Sequence, residues 1–244
     1  MNAIVMDNLT KCFANRTAVN HLSLTIGQGE IFALLGQNGA GKTTTIRMLC
    51  GLLRPSEGDA ILMGHSVSRE PEAVKQVINL SPQETAVAPK LSVKENLELI
   101  ARLYGASRMQ ARQKAEHLLH AFHLQDRAQE KAKTLSGGMQ RRLSIAMALI
   151  SDPAVLFLDE PTLGLDVRAR RDLWKQIEQL RGHMTVILTT HYLEEAEALA
   201  DRIAIMDRGV LQTVGTAEQI KRETGTDSLE EAFLRLTERE EPEQ

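Results

Sequence analysis

Residues Gly36-Gln37-Asn38-Gly39-Ala40-Gly41-Lys42-Thr43 carry the spacing G-x-x-x-x-G-K-S/T, which is suited to holding phosphate. Glycines let backbone N–H groups turn inward around phosphate oxygens, because no Cβ blocks the required dihedrals. A helix starting at the end of the loop adds its partial positive charge. Ahead of the loop, Ile31-Phe32-Ala33-Leu34-Leu35 is an apolar run of strand length; behind it, Thr44-Thr45-Ile46-Arg47-Met48-Leu49 reads as a helix start. In that setting Gly36, Asn38, Gly39, Ala40, Gly41, Lys42, Thr43 and Thr44 are the expected phosphate-contacting residues. Lys42 can reach the outer phosphates, and the Thr43 hydroxyl can hold Mg²⁺.

Val155-Leu156-Phe157-Leu158-Asp159-Glu160 places two acids at the end of an apolar run. A carboxylate there can bind the hydration shell of Mg²⁺. Adjacent carboxylates point in different directions, so Asp159 can serve the metal while Glu160 orients or deprotonates a water aimed at the terminal phosphate. Leu135-Ser136-Gly137-Gly138-Met139 is a second glycine-rich segment, heading a helix over 140–150. Ser136 suits the N-cap, and the helix start suits an anion. Two anion-binding helix starts in one small protein suggest that one of them serves a neighbouring subunit.

Stretches 31–35, 154–158 and 186–188 read as buried strands of a parallel sheet, apolar on both faces. Each ends in polar residues: Gly36, then Asp159-Glu160, then Thr189-Thr190-His191. Ligands of open α/β sheets bind beyond the carboxyl ends of the strands, so three distant segments are expected to converge on one site. Stretches 3–6 and 22–26 alternate more and are expected to form a flanking antiparallel layer, and 203–210 reads as a hairpin. From about Ser92 to Ile150 the β-rich runs disappear. Ala115, Leu118, Leu119 and Phe122 fall on one helix face, and Ser92 with Glu95 makes a capping-box pattern. The pattern predicts an inserted helical lobe, joined to the sheet at 80–89 and near Leu135. Residues 238–244, charged and proline-containing, are expected to be disordered.

The 244 residues are enough for one large domain or two small lobes. With 29 basic and 32 acidic side chains the net charge is −3, which argues against a nucleic-acid partner. Cys12 and Cys50 have no metal-like spacing, as expected of free thiols. No run of ~18 apolar residues is present to span a membrane, and Met1–Val5 lacks the features of a signal peptide.

With these elements in order, the chain resembles the nucleotide-binding domain of an ATP-binding cassette (ABC) transporter over essentially its whole length. Leu135–Met139 is similar to that family's signature LSGGQ, with Met139 in place of the usual Gln, a substitution found in the drug and polysaccharide exporter branch. The resemblance rests on the ordered set Phe13, Gly36–Thr43, Gln83, Leu135–Gln140, Val155–Glu160 and His191. It implies an α/β fold of the P-loop NTPase class: a mostly parallel core sheet, an antiparallel β layer and an inserted α-helical lobe. Residues 1–225 would be the ATPase domain, with 1–85 and 152–225 as core and β layer and 86–151 as the lobe; 226–244 would be a short C-terminal helix and acidic tail.

ATP and Mg²⁺ are the cofactors the resemblance implies. Phe13 would stack on adenine. Gln83 would touch Mg²⁺ or the attacking water and sense the γ-phosphate. His191 would bond the γ-phosphate and hold Glu160 and water in place. Glu160, His191, Gln83 and Lys42 form the implied catalytic set, and Thr43, Gln83 and Asp159 the metal set. Ser136, Gly137 and Gly138 would face the ATP of another subunit, and Asp166, in a segment resembling the D-loop, would link the two sites across a dimer. The implied partners are a second ATPase subunit, identical or paralogous, and a membrane permease with multiple transmembrane helices, docked near Gln83 and Tyr104. The chain would then sit on the cytoplasmic face of the cell membrane. Residues 228–236 resemble the closing helix of the exporter branch, and no long regulatory domain of the sugar-importer kind follows, so export is expected over import. A soluble, non-transport ABC ATPase acting on a ribosome or nucleoprotein is the alternative; its known types carry tandem cassettes or a long coiled-coil insert. A P-loop kinase would have no use for Leu135–Met139.

Overall fold

The computed structural model describes residues 1–238. The first part of the chain runs β1 (Asn2–Phe13), β2 (Arg16–Gly27), β3 (Ile31–Leu35), α1 (Lys42–Leu49), β4 (Glu57–Leu62), β5 (His65–Ser66), α2 (Pro71–Val77) and β6 (Ile78–Ser81). Helices α3 (Val93–Leu103), α4 (Arg108–Ala121) and α5 (Gly137–Leu149) follow. The remainder is β7 (Val155–Asp159), α6 (Val167–Glu178), β8 (Thr185–Thr190), α7 (Leu193–Leu199), β9 (Arg202–Asp207), β10 (Val210–Gly215), α8 (Ala217–Thr224) and α9 (Leu229–Thr237). The charged tail lies, from Arg239 on, outside the described residues. Among the described residues no helix is long and apolar enough to cross a membrane.

Two sheets form. The antiparallel one has the order β2-β1-β4-β5. The six-stranded one has the order β10-β9-β3-β8-β7-β6, parallel throughout except at β10. The apolar runs explain this arrangement. All five residues of β3 are buried, and successive side chains leave a strand on opposite faces, so an unbroken apolar run requires cover on both sides. On one face Phe32, Leu34, Phe157, Ile187 and Met206 pack with α1 and the antiparallel layer. On the other, Ile31, Ala33, Leu156, Leu158, Val186 and Leu188 pack with the helices. The same core continues into the lobe through Leu97, Ala115, Leu119 and Leu143, so sheet and lobe share one apolar interior.

Local signals place the helices. The Ser92 hydroxyl accepts from the Glu95 N–H at 3.1 Å and the Glu95 carboxylate from the Ser92 N–H at 2.7 Å, closing the expected capping box on α3. Helix α5 begins at Gly137, three residues before the sequence pattern placed it, because Ser136 Oγ accepts from the Met139 N–H and draws both glycines into the first turn. Helix α1 likewise starts at Lys42, so the last residues of the glycine loop are already helical.

Candidate functional site

Four parallel strands end together at one edge of the central sheet. Leu35 of β3 lies opposite Thr190 of β8, Asp159 of β7 opposite Thr189, and Ser81 of β6 opposite Leu158. The residues that leave these strands therefore face one another: Gly36, Glu160, His191 and the Pro82-Gln83 pair.

The glycine loop closes tightly over this edge. A Cβ at Gly36 would run into the Met206 carbonyl oxygen. Gly41 adopts φ 102°, and a Cβ there would press on the Ala18 carbonyl oxygen. Thr45 is the first residue of this helix start whose N–H finds a backbone partner, the Gly41 carbonyl at 2.8 Å. Those of Lys42, Thr43 and Thr44 take none among the described residues. Open donors at a helix N-terminus are an anion cradle.

Lys42 lies beneath that cradle, 5% exposed. Its Nζ donates to the carbonyls of Gly36 (2.6 Å) and Gln37 (3.2 Å) and lies 3.4 Å from Glu160 Oε1. Burial pulls the ammonium below its usual pKa, and Glu160 and Asp159 oppose that pull.

The paired acids diverge. Asp159 Oδ1 accepts from the hydroxyls of Thr189 (2.6 Å) and Thr43 (3.1 Å), tying β7, β8 and α1 together. Glu160 points the other way, with Oε2 at 2.8 Å from His191 Nδ1. Its N–H donates to the Thr189 hydroxyl at 3.0 Å. Glu160 also has φ 48°, a left-handed conformation for a non-glycine residue. Such strain costs about 1–3 kcal/mol and persists only where surrounding contacts over-determine it. The oxygen donors Thr43 and Asp159 suit Mg²⁺, which takes one or two carboxylates and leaves its other positions to water and phosphate.

A cleft of about 390 Å³ is lined by Phe13, Asn38, Gly39, Ala40, Gly41, Lys42, Thr43, Thr44, Gln83, Glu160 and His191. Gly36 and Asp159 are buried and do not line it. Phe13 stands at the end of β1, 46% exposed, with Lys11 Nζ 5.2 Å from the ring centre. Ser136, Gly137, Gly138 and Asp166 do not line this cleft. They form a separate face, where Gly138 packs on Leu165 and Ala169 and Asp166 caps α6 by accepting from the Ala169 N–H at 2.9 Å. Ser136, Gly137 and Asp166 are exposed there.

The structure also brings in residues that sequence reasoning passed over. Arg16, paired across the hairpin with Phe13, lines the cleft and donates to the Gly39 carbonyl at 3.1 Å. Arg141 on α5 is 4% exposed, and burial lowers its pKa to about 10. Its Nη2 donates to the Asp159 carbonyl (2.7 Å), its Nε to that of Pro161 (2.8 Å) and its Nη1 to that of Pro82. Glu195 on α7 is fully buried, accepts from Trp174 Nε1 at 3.1 Å, and has its pKa raised by burial. Arg16 and Arg141 sit in no spacing pattern that would have marked them, and Trp174 reads in sequence as a packing residue.

Residues 19–163 match a family model described as "ABC transporter". The chain is similar to the daunorubicin resistance ATP-binding protein DrrA3 of Streptomyces coeruleorubidus, with 44% identity over 93% of this chain and 72% of that protein. Among solved structures it is similar to the ATP-binding subunit of an ABC transporter, at TM-score 0.86 and 29% identity over 97% of this chain and 100% of the other. It is also similar to a dimeric ATP-binding cassette in a post-hydrolysis state with ADP and phosphate bound, at TM-score 0.79 and 26% identity over 87% of this chain and 98% of that one.

Proposed function

Since the chain belongs to the ABC transporter family as an exporter-type ATP-binding subunit with ATPase activity, we propose that two such subunits close on two ATP molecules and drive a separate membrane permease. Each ATP lies between the Gly36–Thr43 loop of one copy and Ser136-Gly137-Gly138 of the facing copy, and Asp166 links the two sites. The facing copy is identical or a paralogue.

The observation that carries this reading is the meeting of Lys42, Glu160 and His191 in one cleft, at 3.4 Å and 2.8 Å. Phe13 stacks on the adenine ring. The open amides of the helix start and Lys42 hold the β- and γ-phosphates. Thr43, Asp159 and Gln83 are the oxygen donors for Mg²⁺, which when bound offsets phosphate charge. Glu160 takes the proton of the attacking water, and His191 fixes the direction of that carboxylate and contacts the γ-phosphate. Gln83 orients the water and reports the γ-phosphate to the permease side.

ADP lacks the group that both copies grip, so hydrolysis releases them. A ~100-fold preference of the closed state for ATP at each site gives ~10⁴-fold for two, about 5.5 kcal/mol, enough to move a two-state partner from 1:99 to 99:1. The permease docks in the groove near Tyr104 and holds the ATPase at the cytoplasmic face of the cell membrane. The drug-resistance relative favours export.

Glu160→Gln in ATP and Mg²⁺ tests the reading. Light scattering is expected to show a persistent dimer, with hydrolysis ~10²–10⁴-fold slower. A variant that stays monomeric with nucleotide bound overturns the two-copy model. Co-purification of a polytopic protein from detergent-solubilised membranes tests the permease.

A further inference from the structure

Arg141 is the one arginine classed as buried among the described residues. No carboxylate lies within ion-pair distance of it among those residues. A buried guanidinium needs its donors satisfied, and here backbone carbonyls satisfy them: Asp159 at 2.7 Å, Pro161 at 2.8 Å, Gln83 at 3.4 Å, and Pro82.

Those carbonyls belong to two separate segments. Asp159 and Pro161 flank Glu160, so the guanidinium grips the peptide on either side of the strained residue. The Thr189 hydroxyl accepts from the Glu160 N–H at 3.0 Å. Pro82 and Gln83 follow β6 and carry the side chain that faces the cleft. The arginine itself stands on α5, in the first turns after Gly138. One planar fork therefore joins three segments, and its rigid geometry lets several carbonyls be served at once. A lysine ammonium, a point charge on a flexible stem, cannot reproduce that fork.

We propose that Arg141 is a positioning residue for hydrolysis: it locks the Glu160 turn and the Gln83 segment to the helix headed by Ser136-Gly137-Gly138, so that all three keep one geometry. This rests on the function proposed above, in which Glu160 activates water. Arg141 does not line the cleft, so its contribution falls on turnover and not on nucleotide affinity.

Arg141→Lys is the test, on the full chain with ATP and Mg²⁺. The expected result is a kcat roughly 10- to 100-fold lower, the scale of an ångström-sized misplacement, with ATP affinity within about twofold of the parent. Parent-like turnover overturns the proposal, as does a loss confined to ATP affinity. Failure of the underlying reading shows separately, as undiminished turnover in Glu160→Gln. A second measurement is independent of catalysis. Glycine tolerates the left-handed conformation at position 160, so Arg141→Lys is expected to destabilise a Glu160→Gly chain less than it destabilises the parent. If Arg141→Lys alone does not fold, a Lys42→Met, Glu160→Gly background, which relieves the strain without leaving a buried charge unpaired, is expected to restore folding. Equal losses in the parent and Glu160→Gly backgrounds, or no folding even in the Lys42→Met, Glu160→Gly background, overturn the clamp.

Discussion

The Lys42–Glu160 pair can be isolated without nucleotide. The two charges stand 3.4 Å apart with side chains only 6% and 8% exposed, so solvent screens them little. At an effective dielectric constant of about 20 the attraction at 3.4 Å is about 5 kcal/mol. Lys42→Met leaves Glu160 buried with His191 as its remaining partner, and Glu160→Gln leaves Lys42 buried against carbonyls. Breaking a buried pair from one side costs about 3–5 kcal/mol, whereas neutralising both members also removes the desolvation of two ions. The double variant is therefore expected to lose less than the sum of the singles, by about 2–5 kcal/mol. For a chain of this size each kcal/mol moves the melting temperature by about 2–4 °C, so the shortfall is roughly 4–20 °C. Thermal unfolding of the four proteins in nucleotide-free buffer at neutral pH measures it. Additivity within about 0.5 kcal/mol would refute the claim that these side chains face each other as a buried ion pair.

Thr189→Val removes the hydroxyl that donates to Asp159 and accepts from the Glu160 N–H. A Mg²⁺ titration of ATPase activity is expected to need roughly 10- to 100-fold more metal, as for other outer-shell ligand supports, and an unchanged titration would count against the role of Asp159. Glu195 is raised above its usual 4.5 mainly by burial, so the folded chain keeps a proton that the unfolded chain releases, and stability falls as pH rises from 4.5 through the folded value. Glu195→Gln cannot titrate, so its melting temperature relative to the parent should climb over that rise; parallel curves would be inconsistent with a buried acid. Ser92→Ala opens the capping box of α3 and is expected to cost about 1 kcal/mol, read as a melting-temperature drop that Ser92→Asp restores.

The fold was legible wherever burial is two-sided. Strands β3 and β7 are apolar at nearly every position, β8 carries the apolar run Val186-Ile187-Leu188 at its centre, and their polar ends pointed to a single edge. The flanking layer was harder to see. In β4, Glu57-Gly58-Asp59-Ala60-Ile61-Leu62, only Ala60 and Leu62 are buried, too few to display a period. Helix α6 is rich in arginine and buries only Leu173, Gln176 and Ile177. Within the site, the glycine loop and the acid pair announce themselves because their chemistry dictates residue type and spacing. Phe13, Gln83 and His191 carry no such local mark, and only the ordered resemblance singled them out. Arg141 stayed hidden for a physical reason: an arginine on a helix reads as a solvated charge, and only the tertiary fold shows it turned inward on carbonyls contributed by distant loops.

The left-handed backbone at Glu160 also bears on how this chain can be improved by selection. Glycine would sit there without strain, and so, more easily than glutamate, would asparagine. Either replacement would, however, leave Lys42 buried without its ion-pair partner, a loss of about 3–5 kcal/mol that outweighs the about 1–3 kcal/mol of strain relieved, so heat resistance and turnover select the same carboxylate. Libraries aimed at a sturdier protein should hold position 160 fixed.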